Sequence, residues 1–238
     1  MAKSIANREF DGMIKPNPIT EKLTKLIKIF KRKNFVNIKT TENKYKNYND
    51  IKTIKRLKGL NLKFKGTNNK VIIGQNCVFK NSKIEFWGDN IIVEIGDNCF
   101  FSNLDAIFSG YEKGNTIRIG DNFFNTDKLQ IFAGGNINND LYIGNDCLFS
   151  RQITIYAHDG HNIYDNDTKK VINIPIRPVQ IGDKVWLGHG VTILKNTSLP
   201  NNTIVGAQSV ISKEFTEENT IIAGNNPKVV RRNICWKQ

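Results

Sequence analysis

Two of the three histidines in this 238-residue chain fall within four residues of each other, in Tyr156-Ala-His-Asp-Gly-His-Asn-Ile-Tyr-Asp165. A neutral imidazole near pH 7 can accept a hydroxyl proton and return it to a leaving group, work worth roughly 10²–10⁴-fold in rate. His161 is the candidate base. Its tautomer must be fixed through the other ring nitrogen, by a carboxylate or a backbone carbonyl, and Asp159 and Asp165 are both near in sequence. His158, Asp159 and Tyr164 are the candidates for touching whatever carries the hydroxyl. Downstream, Trp186 offers an indole N–H that can only donate, and an aromatic wall that excludes water. His189 is the alternative base, three residues after that tryptophan.

The elements that must position these groups are written in a period of six. Ile181, Leu187, Ile193, Leu199, Val205 and Ile211 follow one another at six-residue intervals without a miss. Neither a helix nor a plain strand needs that period, whereas stacked identical turns of chain do. Upstream the register returns at Ile73-Gly74, Ile95-Gly96, Ile119-Gly120 and Ile143-Gly144, the last three spaced by 24, or four units of six. Gly and Asn precede each of these as Gly66-Asn69, Gly88-Asn90, Gly110-Asn115 and Gly135-Asn139, which reads as corners between short strands. Cys77, Cys99, Phe123 and Cys147 stand four residues after each aliphatic and read as core; no Cys-x-x-Cys pair accompanies them. Between Ile143 and Ile181 the spacing is 38, so the segment at about 156–180 is extruded from the repeat. A loop whose base is held by a rigid scaffold is where chemistry is usually carried.

The net charge of +13 is confined to the first quarter of the chain. Residues 1–66 hold 18 Lys/Arg against 5 Asp/Glu, and the remainder is neutral. Thr20 to Lys33 reads as a basic helix with Thr20 as N-cap and Leu23, Leu26, Ile27 and Phe30 on one face. Such a segment can cap the open end of a repeat array, lie on an anionic membrane surface, or meet an acidic polymer. No nucleic-acid motif accompanies the charge. With no secretory signal and no apolar stretch near 18 residues, the reducing cytoplasm is the expected compartment, with peripheral contact at the inner membrane face.

The run Ile181-Gly-Asp-Lys-Val-Trp-Leu-Gly-His-Gly-Val-Thr-Ile-Leu194 resembles the late coils of left-handed parallel β-helix acetyltransferases of the hexapeptide-repeat family. So do Ile204-Val-Gly-Ala-Gln-Ser-Val-Ile211 and Ile221-Ile-Ala-Gly-Asn-Asn-Pro-Lys-Val-Val-Arg231. The Asp159-Gly-His-Asn-Ile163 segment is similar to the branch that O-acetylates bacterial surface saccharides such as polysialic acid and capsule. The resemblance covers residues 64–236, including Asn233-Ile-Cys-Trp236. It implies a mainly β fold, with a left-handed β-helix over 64–232 carrying the inserted loop and a tail over 233–238; the basic, partly helical segment over 1–63 lies outside the resemblance. It further implies a homotrimer with acetyl-CoA between subunits, no metal, His161 as base and Trp186 beside the thioester. Gly188, Gly206, Ala207 and Lys228 fall where the family meets the coenzyme, and Arg231 and Arg232 suit its phosphates. The family's Asn-Pro-Ala-Lys is here Asn225-Asn226-Pro227-Lys228, with the proline displaced by one.

The resemblance therefore implies an O-acetyltransferase acting on a sialic acid-type capsule or a lipopolysaccharide glycan. An N-acetyltransferase of an amino sugar nucleotide would share fold and coenzyme. A non-catalytic binding solenoid, or a zinc enzyme of the γ-carbonic-anhydrase kind, would share the fold alone. A His-x-x-His pair with His189 does not reproduce the ligand positions of the latter.

Overall fold

The computed structural model describes residues 59–66, 69–110, 114–135 and 139–237, together with the backbone of the strand Asn37–Thr40. The basic helix expected over 20–33, and most of the segment 1–63, lie outside the described residues. The rest is a solenoid of short parallel strands on three faces. The first face stacks Leu60–Phe64, Ser82–Phe86, Leu104–Gly110, the second halves of Phe124–Gly135 and Leu148–Tyr156, Thr192–Leu194 and Val210–Ile211. The second face stacks Lys70–Ile73, Ile92–Ile95, Thr116–Ile119, Leu141–Ile143, Val179–Ile181 and Ser198–Leu199. The third stacks Val78–Lys80, Phe100–Ser102, the beginnings of the two long strands, Trp186–Leu187, Ile204–Val205 and Ile221–Ala223. Strand structure reaches back past residue 64, because Leu60–Phe64 is already in register with Ser82–Phe86 and Asn37–Thr40 pairs beside it.

Successive residues on the third face (Val78, Phe100, Phe124, Leu148, Trp186, Ile204) are 22, 24, 24, 38 and 18 residues apart. Eighteen is one coil of three hexads. The spacing of 24 is therefore an eighteen-residue coil with six extra residues at one corner, and not four faces of six. The extra residues fall where the first face turns into the second, at 110–115 and 135–139, and the 38-residue coil places its long loop at that same corner. Keeping every excursion at one corner lets the other two corners stack without interruption.

Those two corners turn on residues with positive φ. Asn76, Asn98, Asn122, Asp146, Lys184, Asn202 and Asn219 bend the second face into the third; Asn81, Asn103, Lys128, Gln152, Gly190 and Gln208 bend the third into the first. Asparagine is the expected residue there. Lysine and glutamine occupy the same conformation because the coils above and below dictate it. Coils are joined by backbone bonds from Gly74, Gly96, Gly120 and Gly144 N–H to Ile95, Ile119, Ile143 and Ile181 carbonyls, each 2.8 Å. A Cβ at Gly120 would lie 2.8 Å from the Gly144 carbonyl carbon, so this row needs glycine for close approach.

Inside, like sits on like. Phe79, Phe101 and Phe123 stack at 4.9 and 5.0 Å, and Phe149 meets Phe123 edge-on at 4.9 Å. Cys77, Cys99 and Cys147 point inward, and each thiol donates to a carbonyl of the next coil, at 3.1–3.2 Å. Burial pushes the Cys147 thiol up to about 12, so it stays a protonated core group. Phe101 is fully buried with an aromatic ring above and below. Phe101→Ala should cost about 3–5 kcal/mol, read by denaturant unfolding at fixed protein concentration; a loss under about 1 kcal/mol would contradict this packing.

Candidate active site

The long corner loop begins at Ala157, buried under the end of Leu148–Tyr156, and returns to the solenoid at Val179–Ile181. Its outer part doubles back on itself: Ile172 N–H donates to the Ile163 carbonyl at 2.9 Å, and Asp165 N–H to that of Lys170 at 2.8 Å. Asp165 accepts from the backbone N–H and the hydroxyl of Thr168, at 2.7 Å each. These turn bonds hold its carboxyl below the ordinary range. Asp165 therefore shapes the turn.

The inner part carries the candidate chemistry. His158 is half-buried, and its Nδ1 accepts the Gly160 N–H at 2.9 Å. Burial pushes its pKa down and outweighs the opposing pull of the Asp159 charge, so near pH 7 the ring is neutral with its proton on Nε2. His161 is exposed, and among the described residues nothing donates to or accepts from its ring. Its backbone carbonyl accepts Asn173 Nδ2 at 2.8 Å. Asp159, expected to meet substrate, has its Oδ2 bound by Asn173 Nδ2 at 2.8 Å and by the Lys195 ammonium. Burial would raise its pKa, but these bonds outweigh burial and hold it below the ordinary carboxylate range. Tyr164 is 58% exposed and its hydroxyl accepts only a 3.5 Å bond from Asn162. A cavity of about 120 Å³ opens beside both histidines, walled by Ser109, Gly135, Asn139, Asn173 and Pro175.

The second group of candidates assembles elsewhere. Trp186 lies on the third face between inward Val185 and Leu187, and its Nε1–H donates to Ser150 Oγ at 3.2 Å. Its ring is 6.0 Å from that of Trp236, whose Nε1–H donates to the Lys184 carbonyl at 2.8 Å and pins the tail there. The register 187–205–222 places Gly188 and Gly206 in one row with Ala223, at the edge between the third and first faces. A Cβ at Gly188 would lie 2.8 Å from the Ala207 nitrogen, so this edge is stripped to backbone by packing. Lys228 pairs with Ala223 and Arg231 with Ile221 in the antiparallel strand Lys228–Arg231, both exposed beside that edge. Arg232 is taken by Glu217 at 2.7 Å. Trp186, Gly188, Gly206, Ala207, Lys228 and Arg231 thus form one strip, with His189 at its border.

In a three-sided coil the corner between the first and second faces lies opposite the third face. His161 and Trp186 of one chain are therefore on opposite sides of the solenoid. A site using both needs two copies of the chain. The sequence pattern did not reveal Ser150, Asn173 or Lys195, because each acts across coils or within a loop that has no period.

No protein-family model matches the sequence. The chain is 32% identical over 90 residues to the polysialic acid O-acetyltransferase of Escherichia coli O1:K1 / APEC, which covers 38% of this chain and 29% of that protein. It is 34% identical over 92 residues to a putative lipopolysaccharide biosynthesis O-acetyl transferase of Escherichia coli strain K12, covering 36% and 46%. The chain thus spans less than half the length of the curated relatives it matches. Among solved structures, the polysialic acid O-acetyltransferase OatWY superposes with a TM-score of 0.63 at 30% identity, covering 86% of this chain and 88% of that one. The polySia specific acetyltransferase NeuO gives 0.59 at 26% identity, covering 86% and 78%. On fold, repeat and this likeness along nearly its whole described length, the chain belongs to the left-handed parallel β-helix, hexapeptide-repeat acetyltransferases.

Proposed function

We propose that the protein is an acetyl-CoA-dependent O-acetyltransferase acting on a hydroxyl of a bacterial surface saccharide, of the sialic acid-type capsule or lipopolysaccharide class. Its sites form between neighbouring copies of a homotrimer. The observation that carries the reading is the division of the candidate groups. One corner offers an exposed imidazole beside a cavity, and the opposite face offers an edge of glycines and alanines bordered by an indole and by two cations that pair with no carboxylate among the described residues. Exposed apolar groups on the loop, Ile172 at 63% and Ile176 at 72%, favour a neighbouring chain against it.

Acetyl-CoA supplies an acetyl group already activated as a thioester. His161 of one copy takes the proton of the saccharide hydroxyl as its oxygen bonds to the thioester carbon. The Gly188 and Gly206 N–H groups already donate to the Val205 and Ile222 carbonyls of the next coil, so the Ala207 N–H is the amide of that edge proposed to donate to the resulting oxyanion. When the carbon–sulfur bond breaks, the imidazolium returns its proton to the departing thiolate, leaving an acetyl ester and a free thiol. Trp186 walls the thioester from water, and Lys228 and Arg231 meet the phosphates. His158, neutral with Nε2–H free, and Tyr164 are placed to orient the sugar. The reaction belongs on the cytoplasmic side, and the basic residues 1–66 would draw an anionic polymer or membrane-attached glycan towards the enzyme.

His161→Ala should lower acceptor-dependent thiol release by about 10²–10⁴-fold; full activity in that variant would move the base to His158 or His189. His161→Ala and Trp186→Ala protein, each inactive, should recover roughly a quarter of wild-type activity when co-refolded in equal amounts, since one interface in four then holds both groups. Co-refolded trimers with no recovered activity would place both groups in one chain's site. Removing residues 1–33 should leave turnover of a short neutral acceptor unchanged and abolish the salt sensitivity of turnover on an anionic polymer. An unchanged salt response would end the recruitment reading.

A further inference from the structure

The geometry points to Asn173 and Lys195 as positioning residues for His161, acting as a clasp that fastens the base-bearing loop to the next coil. The inference rests on the acetyltransferase reading above and adds to it what fixes the base. Three stretches meet at Asn173. Its Nδ2 donates to the His161 carbonyl and to Asp159 Oδ2, both at 2.8 Å, and its Oδ1 accepts the Ile163 N–H at 2.8 Å. One side chain thereby holds the His161 carbonyl, the amide two residues after it, and a carboxylate two residues before it. The Asn173 carbonyl in turn accepts Lys195 Nζ at 2.7 Å, and the same ammonium pairs with Asp159.

Lys195 is not part of the loop. It closes the strand Thr192–Leu194, which lies in register on Thr154–Tyr156, the strand from which the loop departs. The clasp therefore refers the loop to the rigid ladder of the coil above. Asn196 supplies a second fastening, its Oδ1 accepting the Ile176 N–H at 2.8 Å, and Arg177 pairs with Glu214 at the loop's exit. The clasp is needed because the loop packs little against the core: its isoleucines are largely exposed, and among the described residues the His161 ring has no hydrogen-bond partner. Asp159 and Lys195 compensate each other's charge, and the Lys195 side chain is only 21% exposed, so removing either leaves the other in a poor environment.

The test uses the full-length trimer and two readouts. Asn173→Ala and Lys195→Met should each lower kcat for acceptor-dependent thiol release by about 10²-fold, as expected for a base displaced by about an ångström. KM for acetyl-CoA should stay within about twofold and the protein should remain cooperatively folded, because neither residue touches the coenzyme strip or the core. Lys195→Arg should restore most of kcat. Amide hydrogen exchange at Ile163 should speed up at least tenfold in Asn173→Ala, whether or not an acceptor has been found. Full kcat in a variant whose Ile163 amide is freed would overturn the inference, and so would unchanged protection of that amide. Wild-type protein releasing no thiol with any saccharide would sink the acetyltransferase reading instead, and protection at Ile163 would then decide the clasp.

Discussion

Everything in this protein depends on one constraint: each coil must lay its backbone on the next in unbroken parallel register. The Gly74, Gly96, Gly120 and Gly144 amides donate to the coil above at a constant 2.8 Å, and aromatic rings stack on rings below them at about 5 Å. A residue inserted within a face would turn every following side chain inside out. Extra chain can therefore enter only at a corner, and here every excursion uses the same one. The position of the candidate base follows from that rule as much as from the loop's own sequence.

The same constraint explains the division of chemical labour. On the proposed reading, a strip made of stacked edges of small residues would seat the coenzyme, with Trp186 and Trp236 as a wall and Lys228 and Arg231 as counter-charges. A loop at the opposite corner is free to carry side chains that the core would never admit. Its weakness is looseness, and the polar fastenings to Lys195 and Asn196 answer it. Because the two regions lie on opposite sides of the coil, assembly of copies is the step that would bring base and thioester together.

The late coils were legible because nothing interrupts their period: six aliphatics from Ile181 to Ile211 are all buried at the expected places. Upstream the pattern marks the inward residues, including Cys77, Cys99 and Cys147, but does not by itself separate the coil from its extra residues. A spacing of 24 looks like four hexads until the register shows three strands and a six-residue corner. Lys128, Gln152, Lys184 and Gln208 adopt positive φ that no propensity would assign to them, since neighbouring coils impose it. The resemblance places His161 and Trp186 at a site between subunits; spacing alone does not tell which side of a coil a residue faces. Asp159, a candidate substrate contact by sequence, pairs with Lys195, which lies 36 residues away and one coil up. Such links depend on register, which a single sequence does not reveal.

A crystal structure of the trimer with acetyl-CoA would test the central claim most directly, through the distance from His161 Nε2 to the thioester carbon. The account predicts a coenzyme running along the Gly188–Gly206–Ala207 edge of one copy. The His161 imidazole of the adjacent copy should lie close enough for a hydroxyl to bridge it and a carbon about 3–3.5 Å from the attacking oxygen. A thioester bound within a single chain, or one faced by His189 with His161 turned to solvent, would contradict it.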